Sequence, residues 1–468
     1  MLFLRTVFSS ILVISLAFIT LVSCKTLPVF AAEKTTSTTT PRFAIQLENS
    51  QGVLSNTESK QILKNLKNPK QDTNIFTHHL ALEDSVADSP LVAGNKVVLL
   101  QDGPATYQAM LSAIKAAKDH INMETYIFEA DDVGKLFAQA LIEKQKAGVQ
   151  VNLIYDDVGS LYTSDDFFKD LSDHGIKVLE FNPINPTELR KDFEWNQRNH
   201  RKLLIVDGHT AFLGGINISS VYSGSSFKRA SRTKNNNNKT AWRDTDVQIQ
   251  GPVVAEFQKL FLTAWKKQHG APLSQKNYFP PLENVGDEVV RAIGSSPEEP
   301  YSLIYATLIS AIDNAKTTIY IANAYFIPDP QLLLRLQTAA RRGVDVRLIL
   351  PSKTDSWLAF HAGRSYYTKL LQAGVKIYEL QDVVLHSKTV LIDGVWTTIG
   401  STNLDWRSFV HNFELTAVIL GADFGAQTQK MFMKDLRYSK EVLLKEWQNR
   451  PIHSRIKEYF ASIWAYWL

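Results

Sequence analysis

The chain has 468 residues, 44% of them hydrophobic and 21% charged, with a formal net charge of +4. That is ordinary globular composition, long enough for two or three domains at ~150 residues each, and it excludes a disordered or collagen-like polymer. A single cysteine excludes a disulfide scaffold and a thiolate cluster for zinc or iron–sulfur, and so slight a net charge does not by itself argue for nucleic acid.

In chain order, Arg5 is followed by a mostly apolar run from Val7 to Val22, closed by Lys25. The run is short for a spanning helix and stands where a secretory signal stands. Leu21-Val22-Ser23-Cys24 resembles the bacterial lipobox, whose cysteine carries the lipid. The reading is a lipoprotein-type signal peptide over residues 1–23 with Cys24 as lipid anchor. The protein is then exported and held on a membrane of a bacterial envelope. A plain signal cut near Ala31-Ala32 and a retained membrane anchor are the alternatives. Thr35 to Thr40 are nearly all Thr and Ser, so residues 24–95 read as a polar tether, with a short helix near Ser59–Asn65 at most.

An internal repeat then sets the architecture. Ile121-Asn122-Met123-Glu124-Thr125-Tyr126-Ile127-Phe128 matches Tyr320-Ile321-Ala322-Asn323-Ala324-Tyr325-Phe326-Ile327. Gly148-Val149-Gln150-Val151 matches Gly343-Val344-Asp345-Val346, and Gly175-Ile176-Lys177-Val178 matches Gly374-Val375-Lys376-Ile377. Each glycine ends an amphipathic helix and opens a strand, so both halves are α/β. The strongest match is His200-Arg201-Lys202 through Asp207 with His386-Ser387-Lys388 through Asp393, each an H-x-K followed by four residues and Asp. Gly214-Gly215-Ile216-Asn217 and Gly400-Ser401-Thr402-Asn403 follow at the same distance.

On a strand, side chains alternate faces, so His200 and Lys202 share a face, as do His386 and Lys388, with Cα atoms ~7 Å apart. Asp207-Gly208 and Asp393-Gly394 are hairpin signals. With Gly208-His209 and Gly394-Val395 as turn residues, His200 lies opposite Asn217 and His386 opposite Asn403. By this alternation the two aspartates face away and support the site. Asp244 and Glu414, opening the next strand of each half, are candidates to fix a histidine's tautomer. Lysine and asparagine suit the non-bridging oxygens of a phosphoryl group. One histidine can attack phosphorus and the other can protonate the leaving alkoxide. Such a displacement needs both halves face to face across a pseudo-two-fold axis, with one site at the seam.

These motifs resemble the phospholipase D superfamily, and the similarity to bacterial cardiolipin synthases is close over roughly residues 95–468. It is carried by Asn199-His200-Arg201-Lys202, Trp242-Arg243-Asp244, Tyr325-Phe326-Ile327-Pro328, Leu385 to Gly394 and Gly400 to Ser408. The resemblance implies two tandem phospholipase D-type α/β lobes, over 96–285 and 286–436. It implies a phosphatidyltransferase that loads the phosphatidyl group of a phosphatidylglycerol-like lipid on a histidine and passes it to a second lipid. It makes His200 the nucleophile and His386 the acid, although spacing alone does not order them. It counts Asp207 and Asp393 with Lys202 and Lys388 in the catalytic set. Asn217, Asn403, Asp244 and Glu414 are the substrate-binding candidates. No metal and no cofactor are expected.

The first half carries a basic, asparagine-rich insertion over 224–240, read as a solvated loop or a flap over lipid headgroups. In the tail, 437–468, the residues Ile452, Ile456, Tyr459, Phe460, Ile463, Trp464 and Trp467 recur at mostly helical spacing. Arg455 and Lys457 lie among them, so the tail reads as interfacial, with a helix docked on the core as the alternative. The expected partners are anionic phospholipids and a membrane surface, with no nucleic acid, and a monomer suffices because the repeat completes the site. A hydrolytic phospholipase D shares every motif, and a nucleic-acid phosphodiesterase is the alternative from another class.

Overall fold

The computed structural model describes Leu27, residues 45–67, Ile75 and residues 79–80, 89–184, 196–224 and 240–468. The expectations for the signal segment, for Cys24, for Thr35–Thr40 and for most of the insertion fall outside these residues. Among the described residues, no helix is long and apolar enough to cross a membrane.

The first lobe runs β1 (Leu91–Gln101), α1 (Asp102–Ala116), β2 (His120–Thr125), α2 (Asp132–Lys146), β3 (Gln150–Asp156), α3 (Asp165–Asp173), β4 (Lys177–Phe181), β5 (Leu203–Val206), β6 (Thr210–Gly214), β7 (Thr245–Gln250) and α4 (Val254–Lys267). The second runs β8 (Glu288–Ser295), α5 (Leu303–Asn314), β9 (Thr318–Asn323), α6 (Pro330–Arg341), β10 (Asp345–Lys353), α7 (Trp357–Arg364), α8 (Tyr367–Gln372), β11 (Lys376–Leu385), β12 (Lys388–Ile392), β13 (Trp396–Gly400), α9 (Trp406–Val410), β14 (Asn412–Leu420) and α10 (Ala422–Arg437). The sheet order is β4-β3-β2-β5-β6-β7-β1 in one lobe and β11-β10-β9-β12-β13-β14-β8 in the other. In each, the first three strands are parallel and the remainder antiparallel. β1 also pairs with β8, which joins the two sheets.

The strands are apolar on both faces because both faces are covered. Leu203 and Ile205 point into a core shared by the lobes, with Phe257 and Phe261 of α4 and Ile399, Ala417 and Ile419 of the second lobe. Leu204 and Val206 point the other way, into a core under α1 and α2. The repeat extends to local chemistry. Asp131 caps α2 through the N–H groups of Val133 and Gly134, and Asp329 caps α6 through those of Gln331 and Leu332. Gly148 and Gly343 leave the same helices at φ +86° and +93°, a conformation that costs other residues.

The hairpin register differs from the expectation by one residue. Val206 pairs with Thr210 and Ile392 with Trp396. The turn residues are the aspartate and glycine themselves, Asp207 at φ +53° with Gly208 at +66°, and Asp393 at +51° with Gly394 at +66°. A tight hairpin turn needs positive φ at both central positions, and Asp-Gly supplies it, leaving His209 and Val395 as extra residues. The two aspartates therefore lie on no strand face, and they lie outside the histidine site. Asp207 accepts from the N–H groups of Lys118, Asp119 and His120 at 2.8, 2.8 and 3.0 Å. Asp393 accepts from those of Lys316, Thr317 and Thr318 at 2.9, 2.7 and 3.0 Å. They tie each hairpin tip to the start of the parallel strand that pairs with the hairpin, β2 in the first lobe and β9 in the second.

The tether expectation does not hold over 45–67. Leu47–Asn49 pairs in parallel with the start of β1, which itself begins at Leu91 rather than at 96. A helix over Asn56–Asn65 starts at a Ser55/Glu58 capping box. Leu47, Leu54 and Leu63 enter the core of the second lobe. The tail is likewise attached, since Ser439–Glu441 adds an antiparallel strand beside β11.

Asp393→Ala strips the acceptor from three N–H groups, and the aspartate is fully buried. The free energy of unfolding in denaturant titration is expected to fall by roughly 2–4 kcal/mol, with turnover per folded molecule retained. Unchanged stability with lost turnover would return this residue to the reacting set.

Candidate active site

The H-x-K motifs meet at the seam of the lobes, and the backbone brings them there. Arg198–Asn199, just before His200, pairs in parallel with Asn412–Phe413 of the second lobe. Trp242–Arg243 of the first lobe pairs in parallel with Val384–Leu385, just before His386. The His200 N–H donates to the Phe413 carbonyl at 2.9 Å, and the His386 N–H to the Arg243 carbonyl at 2.8 Å.

The side chains repeat this exchange. His200 Nδ1 lies 3.0 and 3.1 Å from the Glu414 carboxylate oxygens, and His386 Nδ1 lies 2.7 Å from Asp244 Oδ2. Each half's acid thus holds the other half's histidine. A proton on Nδ1, directed at the carboxylate, leaves Nε2 with its lone pair. Both histidines border one cleft of about 370 Å³, shared by Asn217, Asn403, Tyr126, Tyr325, Arg198 and Arg407.

The two halves are not equivalent. Glu414 also accepts from the Ser401 hydroxyl and, at 3.3 Å, from Asn412 Nδ2. The matching position in the first half is Gly215, where a Cβ would collide with the Asp244 carboxylate. Ser401 therefore serves the carboxylate behind His200. Around His386, the Tyr222 hydroxyl stands 3.2 Å and Lys388 Nζ 3.0 Å from Nδ1. Tyr222 also receives the amide of Asn217 at 3.1 Å. Asn217 Oδ1 accepts from the Ile127 N–H, so this asparagine braces the cleft wall. The lysines reach back to the chain: Lys202 Nζ donates to the His200 carbonyl at 2.6 Å, and Lys388 Nζ to the His386 carbonyl.

Burial dominates the electrostatics. It pushes His200 down to about 4, helped by Lys202 and Lys388 and opposed by Glu414. It lowers His386 too, with Lys388 adding and Asp244 opposing. Burial brings Lys202 down to about 7 and Lys388 to about 8, and the two ammonium groups face the same carboxylates. Burial works against the Glu414 carboxylate, yet His200, Lys202 and Ser401 hold it below its ordinary value. The cleft thus holds neutral imidazoles whose Nε2 atoms keep their lone pairs, beside lysines lowered toward neutral pH.

Sequence reasoning did not single out Tyr126, Tyr222 or Asp405. Tyr126 meets His200 edge-on with ring centres 5.0 Å apart, and Lys202 Nζ lies 5.1 Å from the tyrosine ring centre. Tyr325 donates to Asp355 at 2.7 Å across the same cleft. Tyr126 and Tyr325 occupy the same position of the internal repeat, which was the available signal. Asp405 caps α9 through the Ser408 N–H at 2.7 Å, and burial raises it to about 7.

The fold and the cleft define a two-lobed α/β enzyme of the phospholipase D type. A family model described as "Cardiolipin synthase, PLD-like domain" matches residues 110–265 and 308–437. A cardiolipin synthase of Alkalihalophilus pseudofirmus is 35% identical over 379 residues, 81% of this chain and 73% of its own length. Cardiolipin synthase 2 of Bacillus anthracis is 37% identical over 361 residues, 77% of this chain and 68% of its own. Among solved structures, the phosphatidylserine synthase of Haemophilus influenzae matches with a TM-score of 0.61 at 14% identity, covering 83% of this chain and 100% of that one, a likeness of fold. The chain belongs to the cardiolipin synthase family and is a phosphatidyltransferase of that type.

The lysine values give a pH dependence with a definite sign. Lysine carries its charge below its pKa, and the free enzyme's Lys202 and Lys388 lose theirs as pH rises through about 7 and about 8. The kcat/KM for an anionic phosphodiester, which reports the free enzyme, is expected to fall over that interval. A profile still rising above about pH 9 would contradict lowered lysines.

Proposed function

We propose that the cleft carries out a two-step phosphatidyl transfer between phosphatidylglycerol-like lipids. His200, neutral at pH 7, attacks phosphorus through Nε2 and forms a P–N bond. His386, protonated once the anionic phosphodiester raises its pKa, gives its Nε2 proton to the departing glycerol alkoxide. The now neutral His386 takes the proton from the hydroxyl of a second lipid headgroup. That oxygen attacks phosphorus, the P–N bond breaks, and His200 returns to its neutral form. Lys202, Lys388, Asn217 and Asn403 are the groups assigned to the phosphoryl oxygens. Asp244 and Glu414 orient the imidazoles and stabilise their charged forms. Asp207 and Asp393 act on the hairpins alone.

The observation that supports this reading is the pair of imidazoles in one cleft, each held at Nδ1 by the opposite lobe's carboxylate. We further propose that the chain works as a monomer at a membrane surface, without nucleic acid as substrate. The motif at Leu21-Val22-Ser23-Cys24 supports export and anchoring through Cys24. One polypeptide supplies both halves of the site.

The test is incubation of purified protein with phosphatidylglycerol in mixed micelles, with lipids resolved by mass spectrometry. Cardiolipin and free glycerol are expected, at rates at least about 10²-fold lower in His200→Ala and in His386→Ala. A rapid base quench should trap a phosphatidyl group on His200. Phosphatidic acid as sole product would make water the acceptor, and cleavage of nucleic acid without lipid turnover would remove the lipid reading.

A further inference from the structure

The tail carries an apolar surface that the mechanism above does not use. In the helix α11 (Ile452–Ser462) and the residues just after it, Ile452, Ile456, Tyr459, Phe460, Ile463 and Trp464 are between 45% and 75% exposed. At ~100° per residue they form one stripe, and Glu458, Ala461 and Ala465 form the opposite one. The second stripe is buried: Ala461 and Ala465 pack on Ala359 and Ala362 of α7. Arg455 and Lys457 fall on the two flanks of the apolar stripe; the Arg455 guanidinium donates to the Gln448 carbonyl, and Lys457 stands where it can meet charged headgroups.

This face is continuous with the cleft. The chain runs from the stripe through Ala465 to Trp467 and Leu468, which line the cleft that holds both histidines. The Leu468 carbonyl accepts from the Arg407 N–H at 3.2 Å, which fixes that end of the wall. On the other side of α11, α7 begins with the exposed Trp357 directly after the cleft residues Asp355 and Ser356. The exposed apolar stripe and the exposed Trp357 thus each adjoin, along the chain, a segment that lines the cleft.

We infer that a phospholipid bilayer docks on this surface, so that a lipid passes sideways from the membrane interface into the cleft past Trp467. The inference rests on the phosphatidyl-transfer reading for the identity of the cargo. The choice of occupant follows from the chemistry of this surface. A diacyl lipid keeps its acyl chains out of water only if the cleft mouth touches the bilayer. Aromatic side chains with flanking Arg and Lys match the headgroup region, where one end of a group is apolar and the other wet.

The test uses the full-length chain with a Cys24→Ser, Ile463→Cys background and an environment-sensitive fluorophore at position 463. This probe reports the face itself, whatever else tethers the protein. Phosphatidylglycerol vesicles are expected to shift its emission to the blue; no shift would overturn the inference. In parallel, the unlabelled Ile456→Glu/Phe460→Glu variant alters two exposed side chains. It is expected to lose about tenfold or more of its turnover on vesicles while keeping turnover of a monomeric short-chain phosphatidylglycerol within about twofold. Equal loss on both substrates would overturn the inference, as would a change from dimer to monomer in sedimentation with vesicle turnover intact. A blue shift of the labelled protein, with the unsubstituted protein turning over neither lipid, would support the docking and refute the phosphatidyl-transfer reading instead.

Discussion

The active centre depends on an exchange between lobes: Glu414 on His200 and Asp244 on His386. At this centre each imidazole takes its carboxylate from the other lobe. The exchange is reinforced by the backbone, where each histidine N–H donates to a carbonyl of the other lobe. It is also reinforced by a hydrophobic core that draws on both sheets. Each cross-lobe pair is a buried hydrogen bond between an imidazole and a carboxylate, so the groups that do the chemistry also help hold the lobes in one relative position. The symmetry needed to put two histidines on one phosphorus and the symmetry of the fold are the same symmetry.

Burial gives the centre its second property. It lowers the pKa values of imidazoles and lysines alike, and the carboxylates behind them oppose the shift. The difference between the halves is small in atoms. Ser401 adds a donor to Glu414, while Gly215 leaves only space for Asp244. Tyr222 and Lys388 crowd Nδ1 of His386, whereas the Lys202 ammonium sits against a tyrosine ring and the His200 carbonyl. Two nearly identical motifs thereby acquire different surroundings, as a nucleophile and an acid require.

Much of this was legible in the sequence, because the repeat recurs at matched spacing: two H-x-K motifs, their asparagines, and the glycines that open strands. What spacing could not show was the crosswise pairing. Counting along a hairpin pairs residues within one half, whereas Glu414 reaches His200 through a strand junction between halves. The hairpin register was one residue off because Asp-Gly itself forms the turn and adds an extra residue, which moved Asp207 and Asp393 from a strand face to the hairpin tips. The segment 45–67 was read as tether because three buried leucines are a weak signal until Leu47 finds the edge of β1. Tyr126 and Tyr325 were available from the repeat; Tyr222 was not, since it lies beside the insertion that the second half lacks. In the tail, helical spacing marked the apolar stripe, but only the fold shows that the same segment lines the cleft.

The exchange between lobes is tested most directly by ¹⁵N NMR of the histidine side chains, which reports the tautomer at each imidazole. In the unsubstituted protein, His200 and His386 should both carry the proton on Nδ1. Glu414→Ala should release His200 to a mixture of tautomers and leave His386 unmoved, and Asp244→Ala should do the reverse. If Glu414→Ala instead disturbs His386 and spares His200, each acid serves its own half, and the two lobes do not share one centre in the way described.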